Sequence, residues 1–325
     1  MRILAQRLLF YVVTAIAAVT VDFFIPRLMP GNPVEAQLAH MMGQVTPATI
    51  RGLELQYGLN SPTGLWGQYM TFWYNLLHGN LGVSTSYYPS TVSSVIRSAL
   101  PWTLGLVGVA TVISFILGTL LGILVAWRRG TWLDNLLPAT TFFQAAPYFF
   151  VAFLALDIFA VRLGWFPTGR AYDQLDFPGF NGPFVADVLV HAILPAATIV
   201  VCSAAGWIVG MRNVMVTTMD EDYVLVAQAK GLPKRRVIWY AARNAILPSV
   251  SGFSIALGFV VSGALLTEIV FSYPGLGWIL LQAVGARDYP LLQGIFLVIT
   301  FAVLLANLVA DSIYVFLDPR TRQEA

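Results

Sequence analysis

The chain has 325 residues, 58% hydrophobic and 10% charged, with a formal net charge of +2. A soluble domain carries roughly 25% charged residues, so this composition excludes a water-covered surface and points to the bilayer as solvent. The small net charge gives no footing for nucleic-acid binding, and the one cysteine, Cys202, cannot form an internal disulfide and reads as a packing residue.

A membrane helix needs about 20 mostly apolar residues. The first candidate covers 8–21 and extends past Asp22 to Ile25, behind Arg2 and Arg7. A secretory signal has a similar profile, with Ala15-Ile16-Ala17 as a poor cleavage site. The apolar run continues beyond that point, which favours an uncleaved first helix. An outer segment, 27–97, follows. It opens on the turn Pro30-Gly31-Asn32-Pro33, and its patterning predicts helices near 46–56 and 64–78. The second stretch carries Trp66, Tyr69, Phe72, Trp73 and Tyr74, which suit packing or interfacial anchoring better than substrate binding.

Five stretches without Asp, Glu, Lys or Arg come next: 98–127, 135–156, 188–211, 244–267 and 289–310. Each is long enough to cross. Gly105, Gly108, Gly118 and Gly122 in the second span predict close helix packing. Residues 164–184 are rich in Gly, Pro and Asp and read as a loop. Asp22, Asp157 and Asp311 lie near the ends of apolar runs, where water can reach them; Glu268 lies just past the fifth. A carboxylate inside a membrane is by default a functional hypothesis, here a pathway or subunit contact at Glu268 and Asp311.

The predicted fold class is an all-α integral membrane protein with six transmembrane helices. Six spans put both termini on one side. With the N-terminus inside, the inner segments hold Arg2, Arg7, Arg128, Arg129, Arg212, Lys230, Lys234, Arg235, Arg236, Arg243, Arg320 and Arg322, twice as many cations as the outer segments. The positive-inside rule therefore places both termini in the cytoplasm.

The loop between spans four and five is the most particular. Thr218 and Glu221 fit a capping box, and Asp220, Glu221 and Asp222 crowd the first turn of a predicted helix. Tyr223, Val226 and Ala227 share a face at helical spacing. Lys230 falls in the last turn, Gly231 at the position after the C-cap, and Pro233 stops continuation. A second helical stretch from Lys234 leads to Leu247-Pro248 and the fifth span. On these residues alone, an amphipathic helix lying on the membrane is an equal reading.

The stretch Glu221 to Gly231, followed by Ala245-Ile246-Leu247-Pro248, resembles the EAA loop of bacterial ABC-importer permeases. Other pieces narrow the resemblance to the B-type, first-permease subunits of the dipeptide/oligopeptide/nickel family. They include Leu28-Met-Pro-Gly-Asn-Pro-Val34, Tyr57-Gly-Leu59, Asn80-Leu-Gly-Val-Ser84 and Leu100-Pro-Trp-Thr-Leu104. Further along come Glu268-Ile-Val-Phe-Ser-Tyr-Pro-Gly-Leu-Gly277, Arg287-Asp-Tyr-Pro290, Asn307-Leu-Val-Ala-Asp311 and Leu317-Asp-Pro-Arg320. A literal Glu-Ala-Ala is absent; Asp-Tyr-Val-Leu-Val-Ala-Gln-Ala stands there, as in the peptide branch.

The resemblance implies a first helix at 1–26, an extracytoplasmic segment with short helices at 27–97, a five-helix permease core at 98–317 with the coupling loop at 213–248, and a cytoplasmic tail at 318–325. It implies that Tyr223, Val226 and Ala227 supply a buried contact with an ATPase subunit. Glu221 and Lys230 would stand at its polar rim, Gly231 would make the turn, and Asp222 and Leu247-Pro248 would belong to the same coupling loop. Its implied partners are a second homologous permease, cytoplasmic ATPase subunits, an extracytoplasmic solute-binding protein and membrane lipid. Its implied location is the bacterial cytoplasmic membrane. The chain has only two lysines, Lys230 and Lys234, and neither follows a glycine, so it lacks a phosphate-binding G-x-x-x-x-G-K-[ST] loop. No cofactor is expected on this chain; ATP and Mg would be used by the partner ATPases. His40, His78 and His191 have no metal-ligand spacing, and no G-x-S-x-G motif occurs. The competing expectations are an ion- or proton-coupled transporter working through intramembrane carboxylates, and an intramembrane enzyme.

Overall fold

The structure, a computed structural model, describes residues 2–28, 34, 38, 46–56, 64–173, 175, 178–263 and 265–317. The turn Pro30-Gly31-Asn32-Pro33, the tripeptide Tyr57-Gly58-Leu59, the tail 318–325 and the side chain of Asp311 lie outside them. The described helices are α1 (Arg2–Leu28), α2 (Pro47–Gln56), α3 (Leu65–Leu77), α4 (Val92–Thr103), α5 (Val109–Trp127), α6 (Leu137–Ala145), α7 (Tyr148–Ala155), α8 (Gly182–Met219), α9 (Asp222–Ala229), α10 (Lys234–Gly258), α11 (Val260–Gly263), α12 (Leu265–Val270), α13 (Leu276–Ala286) and α14 (Tyr289–Leu317). No strand occurs among the described residues; one isolated bridge joins Val83 and Thr91. An all-helical chain is what a bilayer demands, because a helix satisfies its own backbone hydrogen bonds.

Three described helical stretches are long and apolar enough to cross a membrane: Val92–Trp127, Gly182–Met219 and Tyr289–Val309. The first runs from α4 through a π-helical turn, Leu104–Gly108, into α5. The expected third span, 135–156, is not one straight helix. It breaks at Ala146-Pro147, and its two arms, Ala139–Ala145 and Tyr148–Arg162, meet at 107°. Proline has no amide hydrogen to continue the ladder, which accounts for the break. The expected fifth span, 244–267, is divided among α10, α11 and α12. Leu9–Ile25 is apolar but shorter than the three long stretches.

The chain divides into two compact units. One comprises residues 1–102 and 274–304. Here the Phe23 ring of α1 lies against Tyr69 and Phe72 of α3, at 5.3 and 5.5 Å between centroids. The hydroxyls of Thr20 and Tyr69 are 2.8 Å apart. Tyr69 and Phe72 are thus packing residues, whereas Trp66 and Tyr74 stay exposed. Asp288 is wholly buried. Its Oδ2 accepts from the Ser84 hydroxyl and the Ser86 amide, and its Oδ1 accepts from the Leu291 amide at the start of α14.

The other unit comprises residues 103–273 and 305–324. Its centre is the α5–α8 pair. A Cβ added at Gly118 would lie 2.4 Å from Trp207 Cβ and 2.8 Å from the Ala204 carbonyl; one at Gly122 would lie 2.7 Å from Met211 Cβ. These two glycines make the close approach expected of the span. Among the described residues Gly105 has nothing within 4 Å of an added Cβ and Gly108 only an ordinary contact with Val260, so neither shares that role. At the far end, Gly169 sits against the Phe271 carbonyl, which accepts a 2.8 Å hydrogen bond from the Arg170 amide.

Candidate functional site

The loop between α8 and α10 holds the residues that the sequence singled out. The expected capping box is not formed. α8 runs on to Met219, so Thr218 is helical and its hydroxyl donates to the Val214 carbonyl. Glu221 becomes the N-cap of α9 in an extended conformation, without a side-chain cap bond. Its carbonyl instead accepts from the Val224 and Leu225 amides. Asp222 opens the helix, where the dipole favours a carboxylate.

The other end of α9 is closed by the backbone. Lys230 is the C-cap and Gly231 has φ +71°. The Leu232 amide donates to the Ala227 carbonyl at 3.3 Å and the Gly231 amide to the Gln228 carbonyl at 2.9 Å. This pair of bonds is the Schellman arrangement, which needs a left-handed residue at Gly231's position. Pro233 then caps α10, whose first residue is Lys234.

Packing decides which face of α9 is available. Val224 is wholly buried and Ala227 nearly so, three residues apart on one stripe. Val224 joins a core with Met211 and Met215 of α8 and with Val237, Ala241 and Ala242 of α10. Ala227 therefore faces its own chain, contrary to the expectation that it shares an outward face with Tyr223 and Val226. Tyr223, Leu225 and Val226 are 40%, 49% and 50% exposed. Sequence reasoning passed over Leu225, and also Trp239 and Tyr240 of α10, both exposed. An apolar residue held outward beside a satisfied core stripe is the signal that finds such positions. Leu247 is exposed, and Pro248 lies within the continuous α10 rather than between two helices.

The same unit braces α8 from a second side. Arg212 Nη2 donates to Asp134 Oδ1 at 3.0 Å. The Gly130 amide points at Asp134 Oδ2 at 3.3 Å. The Gly130 amide first, and Arg212 with it, holds the Asp134 carboxyl below its ordinary value.

Glu268 of α12 is wholly buried, and its carbonyl accepts from the Tyr273 amide at 2.8 Å. Burial, and secondarily the Glu268 charge, push the Tyr273 phenol up to about 12. This carboxylate is thus inside the fold rather than on an exposed face. Among the described residues no group of His, Cys, Asp and Glu is placed to hold a metal ion.

Residues 118–323 match the model of the family described as "binding-protein-dependent transport system inner membrane component". The whole chain is similar to named relatives. It is 32% identical to the di/tripeptide transport system permease protein DppB of Pseudomonas aeruginosa, covering 99% of this chain and 98% of that one. It is 31% identical to the oligopeptide transport system permease protein AppB of Bacillus subtilis over 92% of each, and 30% identical to the oligopeptide transport system permease protein OppB of Haemophilus influenzae over 99% of each.

Proposed function

The chain belongs to the family of binding-protein-dependent transport system inner membrane components, and from that premise we propose that it is the B-type permease subunit of an ABC importer that carries peptides into the cell. It is a multi-pass inner-membrane protein. It crosses six times, with α1 as the first span, the broken α6–α7 pair as the third and α10 to α12 as the fifth, and both termini are cytoplasmic. Residues 1–26, 27–97, 98–317 and 318–325 serve as first helix, outer segment, permease core and inner tail.

The observation that carries the mechanism is the exposed apolar side of α9, on a helix whose ends and inner stripe are fixed. Tyr223 and Val226, with Leu225 beside them, are free to enter a groove on an ATPase subunit, a standard mode of helix recognition. Val224 ties that helix to α8 and α10, so that force applied to α9 reaches the spans. Glu221, Asp222 and Lys230 stand around the contact as a polar rim. Leu247 and Pro248 continue the transmission into the fifth span. ATP and Mg belong to two partner ATPases, the second half of the pore to a related permease, and the choice of peptide largely to an external binding protein.

Reconstitution tests the proposal. Proteoliposomes containing this chain alone should accumulate no peptide under any ion gradient. Adding the second permease, the ATPases, the binding protein and ATP should start uptake. Uphill uptake by the isolated chain overturns it.

A further inference from the structure

The second unit holds a half-open cavity of about 460 Å³ among α5, the π-helical turn before it, α6, α7, α8, α10 and α11. That volume falls within the range of small-molecule sites. Among the described residues its lining contains no Asp, Glu, Lys, Arg or His. Its polar groups are the hydroxyls of Thr111, Ser114, Tyr148 and Ser203, the amide of Gln144 and the indole of Trp207. Gly206 leaves room in front of Gln144, since a Cβ there would come no closer than 3.7 Å to the amide nitrogen.

A separate observation concerns the backbone. Gln144 and Tyr148 flank the Ala146-Pro147 break, within an otherwise apolar stretch. Non-helical backbone at membrane depth is tolerated where it is buried in protein or lines a watered cavity. Here the two residues beside the break both face the cavity.

Resting on the permease reading above, we infer that this cavity is a station for the peptide in transit, binding its main-chain amides through neutral hydroxyl and amide groups while remaining indifferent to side-chain charge. The Thr111 and Ser114 hydroxyls give their protons to the Val107 and Thr111 carbonyls and so offer acceptor lone pairs, while the Tyr148 hydroxyl, the Gln144 amide and the Trp207 indole can donate, which together match a peptide bond. Tyr148 and Trp207 add apolar ring faces with a polar tip. A neutral lining neither repels nor traps charged side chains, which suits a conduit that must release what it holds.

The test uses the complete reconstituted importer and peptides of equal length that differ only in acidic or basic side chains. Ser203 is partly exposed, and its only described hydroxyl contact is a long 3.5 Å one with Tyr148, so it tolerates replacement. Ser203→Asp should lower uptake of the acidic peptide relative to the basic one by about tenfold or more, the scale of one charge–charge interaction in a partly hydrated site. Ser203→Lys should reverse that preference, and Ser203→Asn should preserve the wild-type ratio. Unchanged ratios in both charged variants overturn the inference. A second measurement stands apart from charge. With Cys202→Ser and Ser203→Cys combined, a methanethiosulfonate reagent should label the new thiol, and peptide plus ATP should slow that labelling. Labelling unaffected by peptide but slowed by added lipid assigns the cavity to lipid instead. Wild-type uptake is the control: its absence would sink the permease reading, whereas its presence without a charge split sinks only the station.

Discussion

Ser84 and Asp288 lie 204 residues apart in sequence, yet the Ser84 hydroxyl donates to the buried Asp288 carboxylate. The same carboxylate takes the Ser86 amide at 2.9 Å and the Leu291 amide at 3.1 Å. One side chain thus fixes the loop before α4 and begins α14.

Asp288→Ala leaves two buried donors, the Ser84 hydroxyl and the Leu291 amide, without their acceptor, and turns the amide of the exposed Ser86 to water. Each orphaned buried donor costs about 1–3 kcal/mol, so the variant should unfold well before wild type. Ser84→Ala removes one donor and should cost about 1–3 kcal/mol. Thermal unfolding of the purified importer in detergent should rank wild type above Ser84→Ala, and Ser84→Ala above Asp288→Ala.

At Gly118 an added methyl meets a backbone carbonyl, which cannot rotate away. Gly118→Ala should destabilise by about 1–3 kcal/mol through overpacking of α5 on α8. Gly105→Ala, with open space around it, should be neutral or slightly stabilising. Equal effects at the two positions in the same unfolding assay would contradict the packing described.

The Asp134 carboxyl sits below its ordinary value of 3.8, held there by the Gly130 amide and Arg212. A group whose folded value is depressed adds stability above its unfolded value and loses it as pH falls through the folded one. Wild type should therefore be more stable than Asp134→Asn at neutral pH, and the gap should close as pH drops below about 4. Unfolding curves from pH 7 to pH 3 measure that gap.

Gly231 holds φ +71° at the end of α9. A β-branched residue is strained in that region by about 1–2 kcal/mol. Gly231→Val should leave membrane insertion intact, weaken co-purification of the ATPase subunits and lower peptide-stimulated ATP hydrolysis. Gly130→Val makes a useful comparison: its φ of +78° imposes similar strain away from α9, and ATPase retention should be normal.

Local features of this loop were legible in the sequence. Gly231 and Pro233 end a helix for reasons that lie within a few residues. Thr218 and Glu221 misled because the capping rule takes for granted that a helix begins there, whereas α8 continues through Thr218 on the strength of its packing. The inward stripe of α9 is set by Val224 packing with Met211, Met215 and Val237, which no local window contains. Pro147 was readable as a break inside an apolar run, yet counting charges alone merges its two arms. α13, Leu276–Ala286, was missed because 11 residues are too few to cross a bilayer; Gly275 before Leu276 was its available start signal.

The 38 residues of α8 span about 57 Å at 1.5 Å per residue, against roughly 30 Å of hydrocarbon. Nearly half its length therefore lies outside the hydrocarbon. A rod of that length acts as a lever: a tilt of about 10° at one end sweeps the other through about 10 Å. The Asp134–Arg212 bridge braces α8 seven residues before its end, about 10 Å from α9 and about 45 Å from Gly182. Pivoted there, the rod turns a shift of about 2 Å at its α9 end into one of about 8 Å at Gly182, so a small displacement at α9 arrives enlarged at the far end of the helix.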